Sequence, residues 1–291
     1  MTPQNAIAKS ISYLESSAAH QSLERDAYWP KWDSPWWHMS LLWEMGLADR
    51  IPATIVEKLV QVSNARYIRF FPTAKEPLPT GADPKTDVPC HCQVGMLYQV
   101  LTACGVPVDE AVPWLRPWLL KYQLPDGGLN CDEKAYDKPS PKSSVVSTLP
   151  PLEAILFCTN RPFTPVEETF LDRGADYLIA HKLFRSADGK KIINKDWLKI
   201  CFPRLYDYDL LRGLRFLTEY SAVREKTLPG SAIQETLGLL HTQGTIKVQH
   251  SMWNDPATGF TSDFELLRLV SEIGRPEPTL NQAWNKIQSG L

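Results

Sequence analysis

The amino-acid sequence predicts an all-α fold in which inner and outer helices alternate along the chain. Two observations predict it, namely stops that recur after apolar segments and a proline within each stop where a new helix would begin. The stops read GLADRIP, CGVPVDE, TNRPFTP, EKTLPG and IGRPEPT. Proline is tolerated at the start of a helix, because its missing N–H would have no partner there. The prolines Pro52, Pro107, Pro165, Pro229 and Pro278 are 55, 58, 64 and 49 residues apart, a distance that fits two helices with their loops.

Apolarity divides the predicted helices into two kinds. The segments before the stops are apolar on nearly every side, as buried helices are, and they span about 35 to 46, 91 to 104, 148 to 158, 208 to 221 and 263 to 273. The segments after the stops, such as 166 to 183, carry charge on one face and are predicted outer helices. With a further helix near residues 4 to 20, the pairs predict a single domain over residues 1–291, an α/α toroid or barrel of five to six inner and outer pairs.

Capping signals support the predicted helix starts. In the S/T-x-x-E/Q capping box, the side chain of each of the two residues accepts a hydrogen bond from the backbone N–H of the other, at the first turn of the helix. Ser34 followed by Pro35 fits an N-cap with proline at the first helical position. Four boxes are present, and they pair Thr164 with Glu167, Ser231 with Gln234, Ser262 with Glu265, and Thr279 with Gln282.

The composition is that of an ordinary globular protein, with 43% hydrophobic and 22% charged residues over 291 positions. The net charge is −2 and no long Lys/Arg run occurs, so nucleic acid is not an expected partner. The sequence has neither a signal peptide pattern nor an apolar run long enough to cross a bilayer. We therefore expect a cytoplasmic protein whose six cysteines are reduced thiols. Its oligomeric state is left open.

Loop length predicts where a site would lie. Four connections from outer to inner helices are long, about 66 to 90, 123 to 146, 184 to 206 and 243 to 261. Because inner and outer helices run antiparallel, these loops fall on the one face where the inner helices begin, and long loops in compact domains are often functional. We expect the site on that face, between His38, His91, Lys142 and Asp209, and plain scaffold on the opposite face.

Three segments resemble a known family. QLPDGGLNC, from Gln123, resembles the Q-x-x-DGG-x-W motif of squalene cyclases, with Leu129 or Asn130 at the usual tryptophan. KSSVVSTLPPLEAI (142 to 155) and CFPRLYDYDLLRGLRFL (201 to 217) resemble segments of bacterial prenyltransferase-like repeat proteins. The resemblance covers about residues 33 to 285. It implies the toroid of terpenoid cyclases and protein prenyltransferases, with an apolar, isoprenoid-like substrate in the central cavity.

The chain departs from the family's three reaction motifs. Class II cyclases use D-x-D-D, whereas this chain has Asp207-Tyr208-Asp209. The D-D-x-x-D motif of class I synthases and the D-x-C zinc pair of prenyltransferase β-subunits are absent. The resemblance therefore implies the fold more firmly than any one of these reactions.

The candidate catalytic residues are Asp207, Asp209 and His91. The two aspartates open an inner helix, where one of them is expected to cap. The other would face the cavity, where desolvation raises the pKa of a carboxyl group and makes it a competent general acid. His91 would serve as acid or base.

The candidate substrate-binding residues are aromatic or lie at helix starts. Aromatic side chains can stabilise a cation through the ring face, although tryptophans at helical spacing are more often core residues. Lys142 and Ser143 could hold an anionic group at a helix start. The full set is Trp36, Trp37, His38, Lys142, Ser143, Tyr206, Tyr208, Trp253, Cys131 and Asp132.

A zinc site is the alternative interpretation of the Cys90-His91-Cys92 cluster with Cys131 and Asp132, since these are zinc-ligand types. Consecutive residues on a helix point about 100° apart, so the three cannot all face one ion. We therefore expect no metal and no cofactor.

Four functions stay open from the sequence. The first is an enzyme for acid–base isomerisation, cyclisation or hydration of an isoprenoid-like substrate. The others are a non-catalytic lipid- or peptide-binding toroid, a zinc-dependent prenyltransferase-like transferase, and a carbohydrate-active α/α barrel, whose chemistry needs paired carboxylates.

Overall fold

A computed structural model describes residues 2–66, 91–242 and 264–273. The regular secondary structure in these ranges consists of helices joined by loops. The β-pairing found within them is one isolated bridge between Arg185 and Ile192. Their α-helices are α1 (Pro3–Leu14), α2 (Ser17–Arg25), α3 (Pro35–Glu44), α4 (Ala53–Arg66), α5 (His91–Ala103), α6 (Val108–Ala111), α7 (Leu115–Lys121), α8 (Val145–Cys158), α9 (Pro165–Ala180), α10 (Leu210–Arg224), α11 (Gly230–Thr242) and α12 (Glu265–Ile273). The all-α prediction is confirmed for the described part of the chain.

The five predicted apolar helices correspond to α3, α5, α8, α10 and α12. Burial explains their composition, because every residue of α5 from His91 to Leu101 is buried. Most of α8 is buried as well, including the consecutive Pro150 and Pro151 inside the helix. Among the described helices, none has both the length and the apolarity that crossing a bilayer requires.

Packing follows the order of the apolar helices along the chain. Helix α3 packs on α5, α5 on α8, and α8 on α10. The approach of α5 to α8 is close because α5 presents Gly95, where an added Cβ would lie 2.4 Å from the backbone carbon of Pro150. Such a contact excludes any larger residue unless the helices move apart.

The helices with a charged face lie against these neighbours. Helix α9 packs on both α8 and α10, while α7 and α11 pack on α9. At the other end of the described chain α4 packs on α2, and α1 contacts both α3 and α12. The capping box predicted at the start of α9 is confirmed, with Thr164 and Glu167 bonded reciprocally.

Three local predictions need correction. The N-terminal helix predicted near residues 4 to 20 is two helices, separated where Ser16 caps α2 by accepting the amide of Ala19 at 3.2 Å. The segment after Pro107 is also two short helices, and Pro113, which cannot donate a backbone hydrogen bond, lies in the break between α6 and α7. The capping box predicted at Ser231 is wrong, because α11 already begins at Gly230.

Ser34 occupies the N-cap position of α3 and Pro35 the first helical position, as predicted. Its hydroxyl, however, donates to the carbonyl of Ala27 at 2.7 Å instead of capping the helix. The predicted features at Ser262, Thr279 and Pro278 lie outside the described residues.

Candidate functional site

A loop that precedes α10 contacts the C-terminal end of α3. We call residues 199–209 the wedge segment. The carboxylate of Glu44, the last residue of α3, accepts the backbone amides of Arg204 at 2.9 Å and Leu205 at 2.8 Å. The side-chain Nε of Arg204 donates to the same carboxylate at 3.2 Å. Glu44 therefore fixes the backbone of the wedge segment against α3.

Arg212, in the first turn of α10, fixes the wedge segment from the other side. Its Nη1 donates to the backbone carbonyl of Asp207 at 2.6 Å. The rest of its guanidinium group forms a buried ion pair with Glu153 of α8, with Nη2 to Oε2 at 2.6 Å and Nε to Oε1 at 3.0 Å. Burial opposes the charge on Arg212, but the charge of Glu153 and its hydrogen bonds raise the pKa of the guanidinium. The guanidinium group of Arg212 therefore stays charged.

A cavity of about 270 Å³ lies between the last turns of α3, α5 and α8 and the first two turns of α10. Its apolar wall includes Trp43 and Phe157. Its charged groups are Glu44, Glu153, Arg204, Arg212 and Arg215. Three guanidinium groups thus face two carboxylates, and the lining has one positive charge in excess.

That excess charge lies on Arg215. Arg204 pairs with Glu44, and Arg212 pairs with Glu153, whereas Arg215 makes no ion pair or hydrogen bond with the described part of the chain. Its guanidinium carbon lies 5.2 Å from the centroid of the Phe157 ring, a cation–π contact. The residue is exposed to solvent, yet the protein atoms around its guanidinium group desolvate the charge enough to lower its pKa. Arg215 is therefore a solvent-accessible cation in the lining of the cavity.

Asp209 is the N-cap of α10. It is fully buried, and its Oδ1 accepts the amide of Arg212 at 2.8 Å while Oδ2 accepts the amide of Cys201 at 3.0 Å. Both carboxylate oxygens are thus engaged by backbone amides, a geometry that favours the capping role. Asp207 is half-buried, and its Oδ1 accepts the amide of Tyr208 at 2.8 Å.

Two of the predicted aromatic site residues meet. The rings of Trp37 and Tyr206 lie 6.0 Å apart, and Trp32 stacks parallel to Tyr206 at 6.5 Å. The ammonium of Lys31 donates to the Tyr206 hydroxyl at 2.9 Å. Trp37 is itself fully buried, so this cluster attaches the wedge segment to the start of α3.

The other predicted aromatic residues are placed elsewhere. Trp36 is buried and donates to the side-chain oxygen of Gln93. Tyr208 packs edge-on against Trp197 at 4.9 Å, and complete burial raises its pKa well above the usual range. Trp253 lies outside the described residues.

His38 is buried and lies in the lining of a second cavity, of about 650 Å³. Its Nδ1 lies 2.8 Å from the Ser10 hydroxyl, and its ring stacks on Phe264 with centroids 3.5 Å apart. Burial lowers the pKa of His38 to about 3. The ring is therefore neutral at physiological pH.

His91 begins α5 in a different cluster. Its Nε2 lies 3.0 Å from the hydroxyl of Tyr136, and the residue is buried. The sulfurs of Cys92 and Cys131 lie 3.6 Å apart beside it. Cys90 lies outside the described residues, and within them no three His, Cys, Asp or Glu side chains are arranged to hold a metal ion.

The DGG motif is a structural turn. Gln123 donates to the carbonyls of Gly127 and Phe170, both at 2.8 Å, which attaches the loop to α9. Gly127 has φ +96°, a conformation that favours glycine. Asp126 accepts the amide of Ser143 at 2.9 Å and also its hydroxyl, and so positions the start of α8.

Two predicted site residues near this turn lie at the surface. Lys142 is exposed, and its carbonyl accepts the side-chain amide of Asn130 at 2.7 Å. Asp132 is exposed, and its carboxylate accepts the amide of Lys134 at 3.1 Å. His38, His91 and Asp209 each have separate partners, so the described contacts do not join the predicted residues into one site.

The cavity lies at the ends of α3, α5 and α8, not at their starts. This is the face that was expected to be plain scaffold, and the wedge segment crosses to it and charged side chains gather there. The sequence reasoning missed Trp43, Glu44, Glu153, Phe157 and Arg215. A usable signal was present at Glu153, which is the one charged residue in the otherwise apolar helix α8.

No family model, curated protein or solved structure matches this chain. A functional assignment therefore depends on the cavity, its charges and its walls.

Proposed function

We propose that the protein binds a small amphipathic anion in the cavity between α3, α5, α8 and α10. The observation that carries the proposal is Arg215, a guanidinium group that has neither ion pair nor hydrogen bond within the described residues. Because Arg215 is exposed, a ligand can reach it, and because the surrounding protein lowers its pKa, a counter-charge beside it would stabilise its charged form. Guanidinium groups bind carboxylate and phosphate groups through charge-assisted, often bidentate hydrogen bonds.

The walls and the volume define the rest of the ligand. Trp43 and Phe157 offer an apolar surface beside Arg215, so an aliphatic or aromatic body would bury its surface there. A cavity of about 270 Å³ holds the space of roughly nine water molecules. The body therefore has roughly ten non-hydrogen atoms, and a short isoprenoid acid or phosphate fits this description.

We further infer that the described helices belong to an α/α toroid, the fold that the family resemblance implies. Two sets of contacts support this inference. The apolar helices α3, α5, α8 and α10 pack on one another in sequence order, and α1 connects α3 to α12. The cavity would then lie on the axis of the ring, where related toroids hold their substrates.

The geometry supports binding ahead of catalysis. The two cavity carboxylates, Glu44 and Glu153, both accept hydrogen bonds from arginines in ion pairs. Both carboxylates thus serve to hold arginine side chains in place. The acid–base isomerisation, cyclisation or hydration that the resemblance implies is a further step, which product formation would reveal.

The test compares two ligands that share a ten-carbon chain, geranic acid and geraniol, by isothermal titration calorimetry at pH 7.5. A hydrogen bond to a charged group contributes about 1.5–3 kcal/mol. We therefore expect the acid to bind about 10- to 150-fold more tightly than the alcohol. Arg215→Met should abolish this preference, because methionine keeps apolar contact but carries no charge. Arg215→Lys should keep part of it.

The matched control is Arg268→Met, which removes an exposed arginine of α12 and should leave the preference intact. Equal binding of acid and alcohol, no binding of either, or an unchanged preference in Arg215→Met would overturn the proposal. Mass spectrometry of small molecules that remain bound through purification offers an independent test. It should find an acidic amphiphile, whereas a neutral sugar would favour the carbohydrate-active alternative.

A further inference from the structure

Two thiols that are 39 residues apart in the sequence meet at the start of α5. The sulfur of Cys92, the second residue of α5, lies 3.6 Å from the sulfur of Cys131, which is in the loop before α8. The backbone amide of Cys92 also points to the Cys131 sulfur, with a distance of 3.5 Å from N to Sγ. Cys92 is buried, whereas Cys131 is partly exposed.

We propose that Cys131 is a peroxide-reactive thiol and that Cys92 resolves its oxidised form, so that the pair closes as a reversible intramolecular disulfide. The site is independent of the cavity around Arg215. Its reactant is hydrogen peroxide or a small organic hydroperoxide, and its reversal needs a dithiol reductant.

The surroundings of Cys131 favour its role as the attacking thiol. An amide in the first turn of a helix, aligned with the helix dipole, stabilises negative charge on a sulfur. The thiolate is the nucleophilic form of cysteine, and partial exposure gives a small peroxide access to it.

The remaining described cysteines lack this environment. Burial raises the pKa of Cys104 and Cys158 to about 11. Burial also raises the pKa of Cys201 well above its usual value, and the nearby Asp209 adds to the effect. These three thiols are therefore expected to react slowly.

Closing the bond requires little movement. A disulfide places its sulfurs about 2.05 Å apart, so a separation of 3.6 Å must shorten by roughly 1.5 Å. The backbone amide of Cys131 donates to the Ser147 hydroxyl at 3.0 Å, which keeps the loop attached to α8 during the change.

The chemistry balances in two steps. The Cys131 thiolate attacks one oxygen of hydrogen peroxide, the O–O bond breaks, and the leaving hydroxide takes a proton to give water and a sulfenic acid. The Cys92 sulfur then attacks the Cys131 sulfur and gives up its proton. The S–S bond forms, the S–O bond breaks, and the departing hydroxide takes that proton to become a second water. Two thiols are oxidised and one peroxide is reduced.

The experiment uses a Cys90→Ser chain, so that Cys90 cannot compete with its neighbours. The folded protein is treated with hydrogen peroxide, its remaining thiols are alkylated, and intact mass and non-reduced peptide maps are recorded. We expect two fewer alkyl groups than in the untreated chain together with a loss of 2 Da from the cross-link, fragmentation that places the cross-link between Cys92 and Cys131, and full reversal by dithiothreitol.

Two further variants test the individual roles. In Cys92→Ser, dimedone should trap a sulfenic acid on Cys131, whereas Cys131→Ser should form neither that adduct nor the cross-link. If either variant fails to fold, the Cys90→Ser chain with both thiols present still decides the question. A cross-link to another cysteine, no loss of 2 Da, or a sulfinic acid on Cys131 beside an intact Cys92 thiol would overturn the proposal.

Discussion

Replacing His38 by asparagine is expected to remove a defined part of the protein's acid sensitivity. Burial lowers the pKa of His38 to about 3, whereas an unfolded chain has a histidine pKa near 6.5. Between these values the unfolded state binds a proton that the folded state does not, so the free energy of unfolding falls as the pH falls. Asparagine has no such titration, and its side chain can still reach the Ser10 hydroxyl.

The expected magnitude follows from the two pKa values. Between pH 7 and pH 5, His38 should lower the free energy of unfolding by about 2 kcal/mol, with a limiting slope of about 1.4 kcal/mol per pH unit. Most carboxylates stay ionised in this window, so they add little to the slope. The variant also loses ring packing against Tyr13 and Phe264, and its stability at pH 7 is therefore lower than that of the parent.

The assay is urea unfolding, followed by tryptophan fluorescence at pH 7, 6 and 5. The decisive quantity is the change of the unfolding free energy with pH, not its value at one pH. His38→Asn should show a shallower dependence than the parent, and the control His241→Asn, which alters an exposed histidine, should match the parent. Parallel pH dependences in the parent and His38→Asn would refute the reasoning.

Two other perturbations test the packing. Burial opposes the charge on Glu167, but Arg161, the amide of Thr164 and the charge of Arg116 together lower its pKa to about 2. Its stabilisation is thus present above about pH 4.5 and lost as the pH falls toward 2. At pH 7, Glu167→Gln should lower the free energy of unfolding by about 3–5 kcal/mol, measured by chemical denaturation, because the buried arginine loses its charged partner. A decrease below about 1 kcal/mol would contradict this expectation. Gly95→Ala should cost about 1–3 kcal/mol because its methyl group meets the Pro150 backbone. The matched control is Gly238→Ala in α11, where no described atom lies close to an added Cβ. This substitution should raise the free energy of unfolding by up to about 1 kcal/mol. Equal effects of the two substitutions would contradict the close approach of α5 to α8.

Helix positions were largely predictable because their signals are local. The apolar segments predicted at 35 to 46 and 91 to 104 are the helices Pro35–Glu44 and His91–Ala103. Proline and capping residues act within one turn, so they indicate helix ends without knowledge of the fold. The break between α6 and α7 was missed although Pro113 and Pro117 are visible in the sequence, because the apolar period continues across them.

The site was less predictable because it depends on contacts between distant segments. The ion pair of Glu153 with Arg212 joins residues 59 positions apart. Nothing local indicates that Glu44 accepts the amides of the wedge segment. Asp209 and Asp207 illustrate the limit, since the sequence predicted that one of them caps α10 but could not say which. The structure assigns that role to Asp209.

The wedge segment is attached in part through its backbone, and this has a consequence for how the binding range can change during evolution. Glu44 accepts the amides of Arg204 and Leu205, and Arg212 donates to the carbonyl of Asp207. Backbone atoms are present whatever the side chain, so substitutions in this segment alter the cavity while the attachment persists. Leu205 lines the cavity and has φ +53°, a conformation that glycine or asparagine adopts at lower cost. A single substitution there would deepen the cavity or make it more polar, and the relieved backbone strain would offset only part of the apolar burial that this buried leucine contributes.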